Sequence, residues 1–159
     1  MPIKSFRGLM ADGAIDTISL HTNTGSTGYR INKLKGISQN PGTVAAEHVF
    51  KIYKIPQTTA TADVDYSDNT LIAVMYYTNR NDTLQSNMTM VTFENEIFNQ
   101  DIFITHNEIS ASGSSGTAGN YYIELEQLNL DLTENTVATL KDIRNIEASN
   151  DSVWVNSII

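Results

Sequence analysis

Short runs of alternating apolar and polar residues dominate the pattern along most of the chain. In the run over 15–22, Ile18 and Leu20 fall on one face of an extended strand, and Ser19 and His21 fall on the other. Clusters of Gly, Asn, Asp, Ser and Thr separate the runs at the spacing typical of a sandwich or barrel. Strands are predicted over 3–10, 15–22, 29–37, 44–55, 71–78, 88–93, 101–106 and 121–132. This pattern predicts a mainly β fold, an antiparallel β-sandwich of about eight strands and jelly-roll type.

Local sequence also predicts how some strands are connected and covered. Asp12 and Gly13 form a pair that tolerates positive φ, which predicts a tight hairpin between the first two strands. The run LIAVMYY at 71–77 has no polar interruption. That strand is therefore expected to be covered on both faces, either by the sandwich itself or by a neighbouring subunit.

The last predicted strand changes its apolar face. Ile123 and Leu125 have one parity, whereas Leu128, Leu130 and Leu132 have the other. A β-bulge near positions 126 and 127 is predicted, because it would keep both sets in the core.

One helix is predicted after the strands, over 134–147. Thr133 or Asn135 can cap its start. An apolar stripe at helical spacing is expected to lie against a sheet, and its members are Val137, Leu140, Ile143, Arg144 and Ile146. The chain is therefore expected to form a sandwich domain with this helix over 1–148, followed by a C-terminal arm or strand over 149–159.

The C-terminal arm is apolar and contains the only tryptophan of the chain. Two explanations stay open for it. Trp154 either closes the core of its own domain or belongs to an arm that docks on a neighbour. The predicted interface residues are Val153, Trp154, Val155, Ile158 and Ile159, with Ile3 and Phe6 as an N-terminal counterpart.

The composition predicts a folded protein with one core, since 40% of its 159 residues are hydrophobic and 18% are charged. The net charge is −8 and the basic residues are scattered, which disfavours nucleic acid because phosphate binding needs clustered Lys and Arg. There is no cysteine, so disulfides and thiolate ligands are excluded. Charged residues interrupt the apolar runs, and neither a signal peptide nor a membrane partner is expected.

Residue types that carry chemistry do not form a known motif. His21, His48 and His106 are far apart and lack metal-ligand spacing. No nucleophile elbow or phosphate-binding loop is present. Asp63, Asp65 and Asp68 form either a solvated turn or a weak candidate site for Ca²⁺, and Glu124 with Glu126 are read as solvent-exposed carboxylates rather than a glycosidase pair. We expect no cofactor and a protein that binds another protein surface rather than an enzyme.

Several segments together resemble a family of small proteins encoded by marine tailed phages. The segments are residues 1–8 (MPIKSFRG), 16–23 (DTISLHTN), 27–31 (TGYRI), 98–103 (FNQDIF) and 121–145, with its IELEQ strand and VATLKDIR helix. The resemblance implies a virion structural protein, similar in type to capsid decoration, or cement, proteins. Such proteins bind the major capsid protein lattice, often as trimers of their own copies at local threefold axes.

The resemblance implies an outer capsid location after synthesis in the host cytoplasm. It leaves two other roles open. One is a head-to-tail joining or tail component of the virion. The other is a glycan-binding β-sandwich on a tail tip, whose stacking surfaces would be Tyr76, Tyr77, Tyr121 and Tyr122.

Overall fold

The computed structural model describes residues 2–20, 26–42, 45–79, 88–93, 96–110, 116–131, 133–134 and 136–140. Each predicted strand corresponds to one strand of the structure, with shifts of a few residues at the ends. The strands are β1 (Ile3–Met10), β2 (Ile15–Ile18), β3 (Thr27–Ser38), β4 (Ala46–Tyr53), β5 (Leu71–Asn79), β6 (Met88–Thr92), β7 (Ile102–Ser110) and β8 (Gly119–Asn129).

These strands form two antiparallel sheets. One sheet has the order β1-β8-β3 and the other has the order β2-β7-β4-β5-β6. The pairings β1 with β8, β2 with β7 and β4 with β5 are nested along the sequence, as in a jelly roll. The predicted jelly-roll β-sandwich is confirmed. β6 departs from the nesting, because it pairs with β5 rather than with β3.

The core lies between the two sheets and uses alternate residues of the strands. β8 supplies Ile123 and Leu125 from the middle of the smaller sheet, and β4 supplies Phe50 and Ile52 from the middle of the larger one. All four side chains are fully buried. The period of two that predicted the strands therefore also separates core residues from outer ones.

The turn at Asp12 and Gly13 is not the predicted hairpin. Gly13 does adopt a positive φ of 78°, and the N–H of Ala14 donates to the carbonyl of Ala11 at 3.1 Å. However, β1 pairs with β8 and β2 pairs with β7, so the turn carries the chain from one sheet to the other. The turn chemistry was identified correctly, but a local pattern does not encode which strands pair.

The bulge predicted in the last strand lies in a different strand. β8 pairs with β1 without a register shift, whereas β3 shifts its register against β8 between Ile31 and Lys33. The extra residue is Asn32, which lets Ile31 and Leu34 both face the core. Leu130 is buried just beyond the end of β8, and Leu132 lies outside the described residues.

The prediction that β5 is covered on both faces is confirmed, and the cover belongs to the same chain. One face of β5 packs into the core, and the other is covered by residues 54–70. Val64 and Tyr66 from that segment line the same cavity as Val74 and Tyr76. The Nζ of Lys51 donates to the carbonyl of Asp63 at 2.6 Å, which anchors the segment.

The helix begins earlier than predicted, with a different cap. Residues 133–134 and 136–140 are helical. The N–H of Glu134 donates to Oδ1 of Asp131 at 2.7 Å, and the N–H of Asp131 donates to Oε2 of Glu134 at 2.9 Å. This reciprocal pair is a capping box, so Asp131 replaces Thr133 as the cap. Asn135 and the rest of the predicted helix, 141–147, lie outside the described residues.

The described part of the helix does not bury its predicted apolar stripe. Val137 and Leu140 are 49% and 58% exposed, whereas Ala138 is buried. Beside Ala138, the hydroxyl of Thr139 accepts a hydrogen bond of 2.9 Å from Nδ2 of Asn99. The described part of the helix therefore turns the small side chains of Ala138 and Thr139 toward the sandwich.

Candidate binding face on the three-stranded sheet

The side of the β1-β8-β3 sheet that points away from the core carries four rows of side chains across its strands. We call this side the outer face. Written in the order β1, β8, β3, the rows are Ile3–Glu126–Arg30, Ser5–Glu124–Lys33, Arg7–Tyr122–Lys35 and Leu9–Asn120–Ile37. Residues opposite each other on neighbouring strands interact directly, so each row is a unit of surface chemistry.

The first two rows balance their own charges. The Nε of Arg30 donates to Oε2 of Glu126 at 3.1 Å, and the Nζ of Lys33 lies 3.2 Å from Oε2 of Glu124. The hydroxyl of Tyr122 donates to Oε1 of Glu124 at 2.9 Å. This bond and the one from Lys33 hold the pKa of Glu124 below its ordinary value. The two carboxylates are thus used as ion-pair partners on the middle strand.

The third and fourth rows form a groove whose two cations have no ion-pair partner within 4 Å among the described residues, although the charge of Lys35 helps to lower the pKa of Glu124. Arg7 and Lys35 flank Tyr122, and no ion pair joins either of them to another described residue. Leu9 and Ile37 form the next row and are 51% and 57% exposed. These rows line an open groove of about 570 Å³ along β8. The groove thus has a cationic end and an apolar end.

The groove was not among the sites predicted from the sequence. Along β1 and β3 the groove residues alternate with core residues, and this alternation can be read from the sequence. The rows nevertheless depend on the register with β8, which lies more than 80 residues further along the chain than β3. The bulge at Asn32 adds a second uncertainty, because it alone places Arg30 and Lys33 on the same side. No local pattern reveals either fact.

The structure separates the two predicted N-terminal interface residues. Ile3 lies in the first row of the outer face and is 56% exposed. Phe6 lies on the opposite side of β1 and packs against the core while half-buried. The remaining predicted interface residues lie outside the described residues, and they are Val153, Trp154, Val155, Ile158 and Ile159. Their role stays a prediction.

Two of the histidines meet inside the sandwich, contrary to the expectation that each is isolated. The Nδ1 of His48 lies 2.9 Å from Nε2 of His106. The Nδ1 of His106 lies 3.0 Å from the carbonyl of Ala11, so this nitrogen carries a hydrogen. His48 then donates to His106, and its Nε2 has no partner among the described residues. Burial and the neighbouring His106 lower the pKa of His48 to about 4.

The packing around the two histidines favours their neutral forms. Phe50 stacks on His106 with 4.4 Å between ring centroids, and Tyr77 stacks on His48 at 4.6 Å. Burial lowers the pKa of His106 as well. No group of three or more potential metal ligands occurs in the described parts of the chain. His21 lies outside these parts.

Two of the three aspartates of the 63–68 segment, Asp65 and Asp68, act as turn residues. Oδ1 of Asp65 accepts from the N–H and the hydroxyl of Ser67 at 2.9 and 2.6 Å. Oδ1 of Asp68 accepts from the N–H and the hydroxyl of Thr70 at 2.8 and 2.6 Å. These oxygens satisfy the local backbone, which supports the solvated turn over the Ca²⁺ site.

The four tyrosines proposed as glycan-stacking surfaces are not together on one surface. Tyr77 and Tyr121 are core residues with 5% and 7% of their surface exposed. Tyr76 and Tyr122 are half-buried and lie on the outer faces of different sheets. The structure therefore contradicts a shared stacking platform of these four rings.

The comparisons with known proteins add little beyond the fold. No protein-family model matches the chain, and no curated protein matches it. A solved structure named Desmodium yellow mottle tymovirus is similar at 12% identity over 82% of each chain, with a TM-score of 0.37. A match at this level transfers no property of that virus to this protein. Among the described residues, none of the helices is long and apolar enough to span a membrane.

Proposed function

We propose that this protein is a virion structural protein that decorates the capsid, binding the lattice of the major capsid protein and stabilising the assembled shell. The observation that carries the proposal is the outer face, where Ile3, Leu9 and Ile37 are each more than half exposed. Leu9 and Ile37 share one row and Ile3 lies three rows away; exposed apolar side chains on one face of a folded domain favour a surface for a protein partner. The resemblance of the sequence segments to proteins of marine tailed phages supports the viral setting.

The proposed mode of action is binding without catalysis. Each copy contacts two or more neighbours, so that every contact favours the assembled shell over its separated subunits. Ile3 and the C-terminal arm are the proposed contacts with these neighbours. The proposed partners are the major capsid protein and further copies of this chain, on the outer surface of the capsid.

The proposal is tested first by the composition of purified particles. Quantitative mass spectrometry should give a copy number close to that of the major capsid protein. A copy number as low as that of the neck or tail proteins would support a head-to-tail joining or tail role instead. Absence from particles would reject a virion role altogether.

The proposed capsid contact is tested with two matched substitutions. Ile3→Asp places a charge on the outer face, whereas Val64→Asp makes the same change at a residue that is also exposed but lies on the segment covering the other sheet. We expect Ile3→Asp to reduce cosedimentation with undecorated capsids at least about tenfold, because it places a charge in an apolar contact. Val64→Asp should bind normally, and equal binding by both variants contradicts the assigned contact.

A further inference from the structure

β1 is an edge strand with one unpaired side. In the order β1-β8-β3, its one hydrogen-bonded neighbour among the described strands is β8. The N–H of Gln127 donates to the carbonyl of Pro2 at 2.9 Å, so the even positions of β1 bond to β8 and the odd positions turn their N–H and C=O groups away from it. The outward groups belong to Ile3, Ser5, Arg7 and Leu9. An edge of this kind is a template for another strand.

The side chains of the same four residues lie on the outer face, and all four are exposed. Ile3 and Leu9, near the two ends of the strand, are 56% and 51% exposed. Arg7 lies between them and has no ion-pair partner among the described residues. The backbone edge and the side chains beside it therefore form one uncovered surface of the described structure.

We propose that β1 of one copy pairs antiparallel with β1 of a second copy about a twofold axis at Phe6, which joins two three-stranded sheets into one continuous sheet. In this register Ile3 faces Leu9 of the second copy, and Ser5 faces Arg7. All four turn their N–H and C=O groups outward, so both pairs are of the hydrogen-bonded kind. The inference rests on the proposed function, which names further copies of this chain as partners, and it identifies the surface that joins two of them.

The positions of the exposed apolar side chains support this register. Leu9 shares its row with Ile37, whereas Ile3 lies three rows away on the same copy. Twofold pairing brings Ile3 of the second copy beside Leu9, so the apolar side chains from both ends of β1 meet. Cross-strand apolar pairs stabilise a sheet, and the contact removes their surface from water.

The charges along the edge also favour a second copy. In its own row Arg7 lies beside Tyr122, with Lys35 beyond it. In the pair, Arg7 of the second copy extends the row that contains Ser5 and Glu124. Because Ser5 is short, the guanidinium reaches over it toward the carboxylate of Glu124. An arginine without an ion-pair partner in one copy thereby gains a carboxylate from the other.

Other registers of the same two strands are less favourable. A shift by one residue sets the outer face of one copy against the core side of the other. A shift by two residues in one direction sets Arg7 opposite itself, and like charges in this position destabilise a sheet. In the other direction Ser5 faces itself, and Leu9 has no partner on β1. The register centred on Phe6 is therefore the one in which this strand complements itself.

Lys4 lies on the core side of β1, where a charge on an edge strand usually opposes pairing. Its Nζ donates to the hydroxyl of Tyr29 on β3 at 3.1 Å, so the charge is directed away from the free edge. In the proposed register Lys4 faces Gly8 of the second copy, which has no side chain to meet it. The lysine therefore does not obstruct the pair.

A single engineered cysteine tests the register in the full chain, which has no cysteine of its own. Phe6→Cys sets two thiols opposite each other at the twofold axis, in a non-hydrogen-bonded pair with Cα atoms about 4.5 Å apart. A disulfide spans about 4.4–6.8 Å between Cα atoms, so oxidation should produce a covalent dimer. Lys4→Cys is the control on the same side of the strand. Its two thiols would be separated by about 13 Å along the paired strands, and it should stay uncrosslinked.

The other outcomes of the cysteine experiment overturn the inference. Crosslinking of Lys4→Cys alone would mean that the strands pair in a different register. Equal crosslinking of both variants would mean that the copies collide without a fixed register. Absence of a crosslink in both would mean that β1 does not meet a second β1.

Self-association of two Ser5 variants gives an independent measurement. Ser5→Pro removes an outward N–H that β8 does not use, whereas Ser5→Ala keeps it. By sedimentation equilibrium, the native chain and Ser5→Ala should be dimers of equal affinity, and Ser5→Pro should associate at least about tenfold more weakly. Proline is tolerated on an edge strand whose N–H faces solvent, so Ser5→Pro should keep the native circular dichroism spectrum. A monomeric or trimeric native chain, or equal association of the two variants, contradicts the inference.

These measurements need no capsid, which separates this inference from the proposed function. A native dimer that fails to cosediment with capsids would contradict the proposed function and leave the pairing of β1 supported. A native monomer that does cosediment with capsids would contradict the pairing of β1 and leave the proposed function supported.

Discussion

The two outer faces of the sandwich differ in what covers them. On the five-stranded sheet, residues 54–70 lie over β4 and β5, and Leu71, Val74 and Lys51 are at most 5% exposed. On the three-stranded sheet, Leu9 and Ile37 are more than half exposed. Among the described residues, a segment of the chain covers the outer face of the larger sheet, whereas the outer face of the smaller sheet keeps large apolar side chains exposed.

The largest expected difference between the faces is the cost of shortening a leucine. Leu71→Ala should lower the free energy of unfolding by about 2–5 kcal/mol, since it removes buried contacts and leaves a cavity. Leu9→Ala should change it by no more than about 0.5 kcal/mol. Urea denaturation measures both free energies of unfolding, at a protein concentration low enough that the chain does not self-associate. Similar costs would mean that the outer face of the smaller sheet is also covered.

The dependence of the free energy of unfolding on pH tests the histidine pair, which is buried between the two sheets. The pKa of His48 is about 4 in the fold against an ordinary value of 6.5, so the unfolded chain binds more protons between these values. Stability should be highest above pH 6.5, fall as the pH drops toward 4, and lose about 3 kcal/mol from this residue.

His106 should add to the loss, because burial lowers its pKa too, although Asp12 and Glu108 oppose this shift. Thermal unfolding from pH 8 to pH 4 measures the effect. Leu9→Ala serves as the control and should follow the native profile in parallel. A stability that is flat between pH 6.5 and pH 4.5 would contradict the neutral histidine pair.

The smallest expected difference between the faces is the cost in stability of replacing one lysine on each. Lys51 is buried and donates to the carbonyl of Asp63 and, at 3.2 Å, to the hydroxyl of Thr61. Lys51→Met should cost about 1–3 kcal/mol, because both acceptors lose their donor. Lys33→Met breaks a partly exposed ion pair with Glu124 and should cost at most about 1 kcal/mol.

The lysine comparison also has a local measurement. Limited proteolysis should cut Lys51→Met faster within residues 56–66, since the anchor of the covering segment is lost. Lys33→Met should be cut like the native chain. Unchanged cleavage of Lys51→Met would show that other contacts hold the segment.

Much of the fold was predictable because its signals are local. Alternation with a period of two located the strands, and the uninterrupted run at 71–77 indicated a strand covered on both sides. The errors arose where contacts between distant parts of the chain determine the structure. The hairpin at Gly13 was wrong because β1 pairs with β8. The predicted burial of the helical stripe was wrong for Val137 and Leu140, which are exposed where Ala138 faces the sandwich.

The candidate site was less predictable than the fold. Arg7 and Lys35 face the same groove only because both lie opposite Tyr122, a relationship between three distant segments. The meeting of His48 and His106 has the same origin, since β4 and β7 are neighbours. Sequence could identify alternating exposed residues, but it could not give the register that brings them into rows.

Gly119 has a consequence for binding at the groove. A Cβ at this position would lie 2.9 Å from both the ring of Phe50 and the hydroxyl of Tyr77, and 3.0 Å from Nε2 of His106. The backbone of β8 therefore rests directly on three rings, one residue before Asn120 on the groove floor. Since β8 is also hydrogen-bonded on both sides, the floor is rigid before any partner arrives. A docked segment would then lose little affinity to reorganisation, and only the flanking side chains would need to be ordered.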